Sequence, residues 1–196
     1  MNVRTLSFGI LFLLSQIGVV QTVRANDRSQ VQSELEAILA LDQQYRGTNR
    51  TGKWEEVAEA QASIDRENLS KVLLLVEAHG WPRISEVGES AALAAFLVIQ
   101  HADDVEVQER FLPVVSARVK EGEAKGAWFA LLTDRIRIRR GQPQLYGTQS
   151  RYNAEAGRSQ LLPIEAPEKA NERRVALGMK PLKGFPQSTT LDKPSD

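Results

Sequence analysis

The sequence predicts a mainly α protein, a single helical domain of about five to seven helices with one β-hairpin near the C-terminal third. Apolar residues recur at helical spacing through most of residues 30–132. Gly and Pro interrupt that pattern at several points, and the period changes to alternation near residue 136. We expect this domain to span residues 26–182, after a signal peptide at 1–25 and before a disordered tail at 183–196.

The first 25 residues have the order of parts typical of a cleavable signal peptide. A short segment carrying Arg4 precedes an apolar stretch from Leu6 to Val20, and Val23-Arg24-Ala25 supplies a small-x-Ala cleavage pattern. The alternative is a membrane anchor, but the stretch is shorter than the ~20 residues that a span needs. The sequence therefore predicts a periplasmic or extracellular location. The tail is rich in Pro, Ser, Thr and Lys, which is typical of disorder.

Charge and cysteine content limit the function classes. The first 25 residues contain two of the 25 basic residues, Arg4 and Arg24, and no acid, so the remainder carries a net charge of −2. Nucleic acids and anionic membranes need a concentrated positive field, so neither is an expected partner. The chain has no cysteine, which excludes disulfides and thiolate metal sites. The partners left are a polar small molecule or another envelope protein, and no cofactor is predicted.

Six helical segments are predicted before residue 133. Gly80 and Pro82 should end the third of them, because Gly fits the left-handed position after a helix and Pro cannot continue it. Asp103 or Asp104 should cap the helix predicted at 105–121. The apolar run at residues 91–99 should be buried on most sides, after a loop or helix start at 85–90. The predicted helical ranges are 30–46, 53–63, 64–77, 91–99, 105–121 and 124–132. The second range is more polar than the third.

Residues 136–148 are predicted to form the hairpin. Ile136-Arg137-Ile138-Arg139 alternates as a half-buried strand does, residues 140–143 have turn composition, and residues 144–148 would return as the second strand. This register is conditional, because a slip of one residue reverses the faces. A last short helix is expected at 167–177, ended by Gly178.

The two histidines are the first candidates for chemistry. His79 lies in the last turn of a predicted helix, where the simplest role is to cap carbonyls and favour the helix dipole. His101 follows the apolar helix, and its simplest role is that of a buried, hydrogen-bonded core residue. Its neighbours Gln100 and Asp103 support a functional alternative, because an acid beside an imidazole can orient it for proton transfer. A metal held by His79, His101 and Asp103 is the weaker alternative, since no local metal-binding spacing is present.

Polar residues near the predicted hairpin are the second group of candidates. Asp134 and Arg135 could form an ion pair at a helix-to-strand junction, or Arg135 could hold a carboxylate or phosphate. Gly147 inside a strand would permit close approach of a backbone or a ligand. By contrast, Asp65-Arg66-Glu67-Asn68 is most simply a solvated helix face. The candidate substrate-binding residues are Gln100, Asp134, Arg135, Gln144, Tyr146 and Gln149.

The order of these short motifs resembles that of a widespread bacterial family of unknown function. The motifs are His79-Gly80-Trp81-Pro82, Gln100-His101-Ala102-Asp103, Asp134-Arg135 and Tyr146-Gly147-Thr148-Gln149. The resemblance covers about residues 60–180 and implies that these polar positions belong together. It implies no activity.

The sequence thus predicts an exported hydrolase or lyase that uses His general acid–base chemistry. His101 would transfer the proton, Asp103 would orient it, and His79 would be a second acid–base candidate. No nucleophile, P-loop, dinucleotide or zinc-protease motif is present. The alternative is a non-catalytic envelope module that binds a polar ligand or a partner protein through the same cleft. The enzyme hypothesis expects His79, His101, Asp134, Arg135, Tyr146 and Gln149 to line one cleft, whereas a binding module can have its histidines fully satisfied in the core.

Overall fold

The computed structural model describes residues 27–46, 54–153 and 157–184. These residues form six α-helices and one two-stranded sheet, so the predicted fold class is confirmed. The signal peptide expected at residues 1–25 and residues 185–196 of the expected tail lie outside the described residues. In chain order the elements are α1 (27–42), α2 (Trp54–His79), α3 (Ile84–His101), α4 (Val105–Lys120), α5 (Gly126–Arg139), β1 (Ser150–Asn153), β2 (Arg158–Leu161), the 3₁₀ helix Pro167–Lys169 and α6 (Ala170–Ala176).

Helix α3 lies at the centre of the core. Its apolar run is buried as predicted, and Ala91, Ala95 and Phe96 are fully inaccessible to solvent. The helix contacts α2, α4 and α5, and the small alanine side chains permit these neighbours to pack closely. Gly88 has φ +79°, which breaks the regular helix between a short first turn and the buried run. Among the described helices, none combines the length and the apolar character needed to cross a membrane.

Helices α1 and α2 form a layer beside α3. Val31, Leu35 and Ile38 make the buried stripe of α1. The two segments predicted at 53–63 and 64–77 are in fact one helix, α2. The polar first half remains helical because it contains no Gly or Pro and buries Val57. Gly80, with φ +79°, follows the end of α2 as predicted.

Helices α4 and α5 close the other side of the core. Asp104 caps α4, its side chain accepting a hydrogen bond from the Glu106 amide at 2.8 Å. Trp128 of α5 stacks on Phe96 with ring centroids 5.3 Å apart. Trp81 packs against Phe111 of α4 at 5.4 Å. Large aromatic side chains therefore fill the junction of α3, α4 and α5.

The position predicted for the hairpin was wrong, although one hairpin is present. Residues 136–139 form the last turn of α5, and the strands are β1 and β2, paired antiparallel with Ser150 opposite Leu161. The Ile-Arg alternation fails as a strand signal because Leu132 and Ile136, one helical turn apart, are both buried in the core. Residues 144–148 form a loop, in which Gln144 makes a single parallel bridge with Ile164.

Candidate functional site

The site begins with a buried carboxylate that holds a histidine. Asp42 occupies the position of α1 one turn after Ile38, so it continues the buried stripe and is only 1% exposed. Its Oδ1 lies 2.9 Å from Nδ1 of His101, the last residue of α3. The His101 side chain retains 18% of its accessible surface. Its Nε2 atom hydrogen bonds to none of the residues that the structure describes.

A second layer of polar residues fixes Asp42. Arg46 donates from Nη1 to Oδ1 of Asp42 at 3.1 Å and from Nη2 to Oδ2 of Asp65 at 2.7 Å. Gln61, one turn before Asp65 on α2, donates to Oδ1 of Asp65 at 2.9 Å. Gln43 donates to the second Asp42 oxygen at 2.6 Å. These contacts hold the carboxylate in one orientation against the imidazole.

The protonation of Asp42 follows from these contacts. Burial raises the pKa of a carboxyl group, but here it is outweighed. The hydrogen bond to His101, the charges of His101 and Arg46, and the Gln43 hydrogen bond together hold the pKa of Asp42 below its usual 3.8. Asp42 is therefore ionised at neutral pH and can only accept hydrogen bonds.

Arg135 lies on the part of α5 that contacts the C-terminal end of α3 and the residues after it. Positions 131, 135 and 139 lie on one face of α5. The Leu131 carbonyl accepts a hydrogen bond from Gln100 at 3.4 Å, and Arg139 lies 3.3 Å from Asp103. Arg135 lies between these two contacts on α5. Burial and then the charge of Arg139 lower its pKa, and Arg46, which holds Asp42, is close enough for its charge to lower that pKa further.

The acid beside His101 is therefore Asp42, whereas the sequence pattern favoured Asp103. Asp103 is fully exposed and pairs with Arg139. Gln100 is buried, and its amide nitrogen donates to α5. Its side chain thus joins α3 to α5 and faces the core, because the residue before His101 on a helix points about 100° away from it.

Asp134 has a different set of partners. Its fully buried carboxylate accepts hydrogen bonds from the backbone amides of Leu145, Tyr146 and Thr148 at 2.7 to 3.2 Å. The Thr148 hydroxyl donates to it at 2.9 Å. No partner described for this carboxylate belongs to Arg135, so the expected Asp134–Arg135 ion pair does not form. Asp134 instead folds the loop at residues 145–148 around itself.

The remaining candidates of this loop stabilise it. Gln144 is buried, donates to the carbonyls of Gln149 and Leu162, and accepts from the Gln149 amide. The Gln149 side chain donates to the Thr148 hydroxyl at 3.1 Å. Tyr146 lies edge-on to Phe129, with ring centroids 6.3 Å apart. Burial and then the charge of Asp134 raise the pKa of Tyr146, so its phenol keeps its proton.

Gly147 permits the close approach that its position suggested, and what approaches it is the protein itself. Its φ is +68°, and a Cβ placed there would lie 2.6 Å from Leu182 Cδ1 and 3.0 Å from Ile164 Cδ1. The loop is therefore packed under the C-terminal segment. None of the contacts described for Gln144, Tyr146 or Gln149 reaches His101.

His79 lies in a third place. It pairs with Asp27 at 3.3 Å and lines a cavity of about 320 Å³ between the ends of α1, α2 and α3. Fourteen residues of α2 separate His79 from Asp65, which corresponds to roughly 21 Å along the helix. The structure thus places α5, which carries Arg135, against the end of α3 that holds His101, whereas His79 and the 144–149 loop lie elsewhere. In the described ranges, no group of three or more His, Asp or Glu side chains is arranged to hold a metal ion.

The sequence pattern missed Asp42, and it interpreted Asn68 as solvated. Asn68 is 1% exposed and lies between Val57 and Val72 on the buried side of α2. Asp65, which was predicted to face solvent, forms an ion pair with Arg46. The available signal was the same in both helices, a polar residue at a position where the apolar stripe continues. Such residues are buried at a cost unless they are hydrogen bonded, so they mark structured polar sites.

Fold and site together define a class, a mainly helical protein in which a buried carboxylate on one helix holds an imidazole at the end of another. The chain belongs to a family of unknown function (DUF6624), which it matches over residues 29–189. That match extends from the first turn of α1 to beyond the end of α6. No curated protein and no solved structure matches the chain.

Proposed function

We propose that the protein is an enzyme in which His101 is the general acid–base group and Asp42 orients it. The observation that carries the proposal is the contact between His101 Nδ1 and the buried carboxylate of Asp42. A carboxylate in this position selects one tautomer of the ring and stabilises the imidazolium formed when the ring takes up a proton. The reaction classes that fit are hydrolysis and elimination, since both need one proton moved by an imidazole.

The protonation states support this role. Because Asp42 is ionised at neutral pH, the hydrogen between it and His101 must belong to Nδ1. The neutral ring then carries its lone pair on Nε2, the nitrogen without a described hydrogen-bond partner. A general base needs such a free lone pair within reach of a substrate or a water molecule.

His101→Gln tests this role with two measurements. In the wild-type protein, long-range ¹⁵N–¹H spectra at neutral pH should show His101 as the Nδ1–H tautomer. With any substrate found in a panel of hydrolase and lyase substrates, His101→Gln should lower kcat by about 10²- to 10⁴-fold. Its free energy of unfolding should change by only about 1 kcal/mol.

Two outcomes would contradict the proposal. A dominant Nε2–H tautomer would mean that Asp42 does not accept from the ring as the geometry requires. An unchanged kcat in His101→Gln, with activity lost in the comparison variant His79→Gln, would move the chemistry to the other end of α2.

A second candidate is the binding module, and the cavity at His79 favours it. The cavity of about 320 Å³ combines the Asp27–His79 and Arg28–Glu86 pairs at its rim with a floor that includes Leu35 and Val87. A polar ligand with an apolar part fits this lining. This candidate requires no role for His101, so the two variants above also separate the two functions.

We also propose that the protein is exported and acts in the periplasm or outside the cell. The support is the sequence alone, an apolar stretch followed by Val23-Arg24-Ala25. The N-terminus of the protein recovered from an extracytoplasmic fraction should therefore be Asn26. Recovery of a chain that starts at Met1 from the cytoplasm would contradict the proposal.

A further inference from the structure

Arg135 is a charged side chain without a charged partner. No carboxylate of the described residues lies within 4.0 Å of its guanidinium, and no hydrogen bond to it is formed. Its Nε atom is sealed from solvent and unpartnered. Arg135 as a whole is half-buried, so part of its side chain remains accessible to solvent.

The acids around the end of α3 are each bound by another cation. Asp42 is held by Arg46 and His101, and Asp65 is held by the same Arg46. Asp103 pairs with Arg139, one turn after Arg135 on α5. Asp42 and Asp103 cannot turn to Arg135 without losing their contacts to His101 and Arg139, respectively.

The environment makes an unpaired charge at this position unfavourable. Burial first, and then the charges of Arg139 and Arg46, lower the pKa of Arg135 below its ordinary value. A guanidinium does not lose its proton in a protein, so Arg135 remains charged. A bound anion would reduce the energetic cost of keeping this charge partly buried. An oxyanion with two oxygens in one plane can accept two parallel hydrogen bonds from the Nη groups.

We propose that Arg135 binds the anionic group of the substrate, a carboxylate or a phosphate, beside His101. The substrate class is thus a small anion whose reacting atom lies next to its charged group. This inference rests on the proposed function, in which His101 moves a proton on the same ligand. Arg135 would fix the ligand, and Nε2 of His101 would face the reacting atom.

Equilibrium binding tests this inference without any activity measurement. Inorganic phosphate and acetate are titrated separately into the full mature protein at constant ionic strength. Backbone amide shifts of α5 and the ring protons of His101 are followed by NMR. One of the two probes should give a saturable change at both places, and which probe does so distinguishes a phosphate site from a carboxylate site. Arg135→Gln should weaken that binding by at least about tenfold, because hydrogen bonds to charged groups are involved.

The matched control is Arg140→Gln, one residue beyond the end of α5. It removes the same charge just after the same helix, but Arg140 is paired in bidentate fashion with Glu109. Anion binding should survive this change to within about twofold. Equal weakening in both variants would show a diffuse charge effect and overturn the site, as would the absence of a saturable response to either probe.

The same titration on His101→Gln separates the inference from the proposed function. Anion binding that persists in His101→Gln and disappears in Arg135→Gln supports the anion site whatever the activity of either variant. If the anion site is confirmed while His101→Gln retains full activity, the acid–base proposal fails and the anion site stands. If anion binding is unchanged in Arg135→Gln while His101→Gln loses activity, the anion site fails and the acid–base proposal stands.

Discussion

Asp134→Ala is expected to lower the free energy of unfolding by about 3 to 5 kcal/mol, the range for removing one partner of a buried charged network. The carboxylate is fully buried and accepts hydrogen bonds from the backbone amides of Leu145, Tyr146 and Thr148. Alanine would leave these amides without an acceptor in the interior. Chemical denaturation at neutral pH measures the change.

Two further variants make this expectation specific. Asp134→Asn keeps the shape and one acceptor oxygen, so it should be destabilised less than Asp134→Ala. Asp103→Ala removes an exposed acid with a surface ion pair, and the stability should fall by no more than about 1 kcal/mol. If Asp134→Ala were as stable as Asp103→Ala, the loop would not depend on Asp134, and a role for this residue in substrate binding would again be open.

Asp42→Asn is expected to lower the free energy of unfolding by about 2 to 3 kcal/mol at neutral pH, below the range for a fully buried pair. The loss is limited because Arg46 keeps Asp65 as a partner and is itself 21% exposed. The substitution keeps the volume of the side chain and removes the charge that faces His101. A mixed population of His101 tautomers should accompany the loss, since Nδ1–H would no longer be selected.

The pH dependence gives the sign of the Asp42 contribution. Its pKa is lower in the folded protein than the usual 3.8, so between those two values the unfolded chain binds more protons than the folded one. The stability that Asp42 contributes is therefore complete above about 3.8 and is lost as the pH falls through the folded pKa. Asp42→Asn should remove this part of the acid-induced loss of stability.

Unfolding curves at a series of acidic pH values compare the two proteins. Asp104→Asn is a suitable control, because Asn caps a helix about as well as Asp and the position is exposed. A wild-type protein and an Asp42→Asn variant that lose stability in parallel below 3.8 would contradict the depressed pKa. They would also remove the argument that Asp42 is the ionised partner of His101.

Local sequence signals predicted the helices well and the hairpin poorly. The buried run at residues 91–99, the Asp104 cap and the helix end at Gly80 all depend on interactions within a few residues, and all are present. Residues 136–139 show the limit of such signals. Four alternating residues fit a strand and a helix turn alike, and the packing of Ile136 into the core selected the helix.

The candidate site also has a part that the sequence predicted and a part that it did not. His101, Arg135 and the buried Asp134 were identifiable from residue type and position. Gln144, Tyr146 and Gln149 were predicted as a polar strip that binds substrate, but the connections that the structure shows for them are internal, to Asp134 and to the C-terminal segment. A polar strip has the same composition whether it faces a ligand or satisfies buried backbone groups. Only the hydrogen-bond partners distinguish the two.

By itself the sequence determined that this protein is a mainly helical domain with few sites for acid–base chemistry, because periodicity, caps and the presence of only two histidines are local facts. The tertiary structure alone decided which acid meets His101. Asp42 lies 59 residues away in sequence, whereas Asp103 lies two residues away. Helix geometry turns Asp103 towards solvent and Arg139, while the packing of α1 beside α3 carries Asp42 to the imidazole.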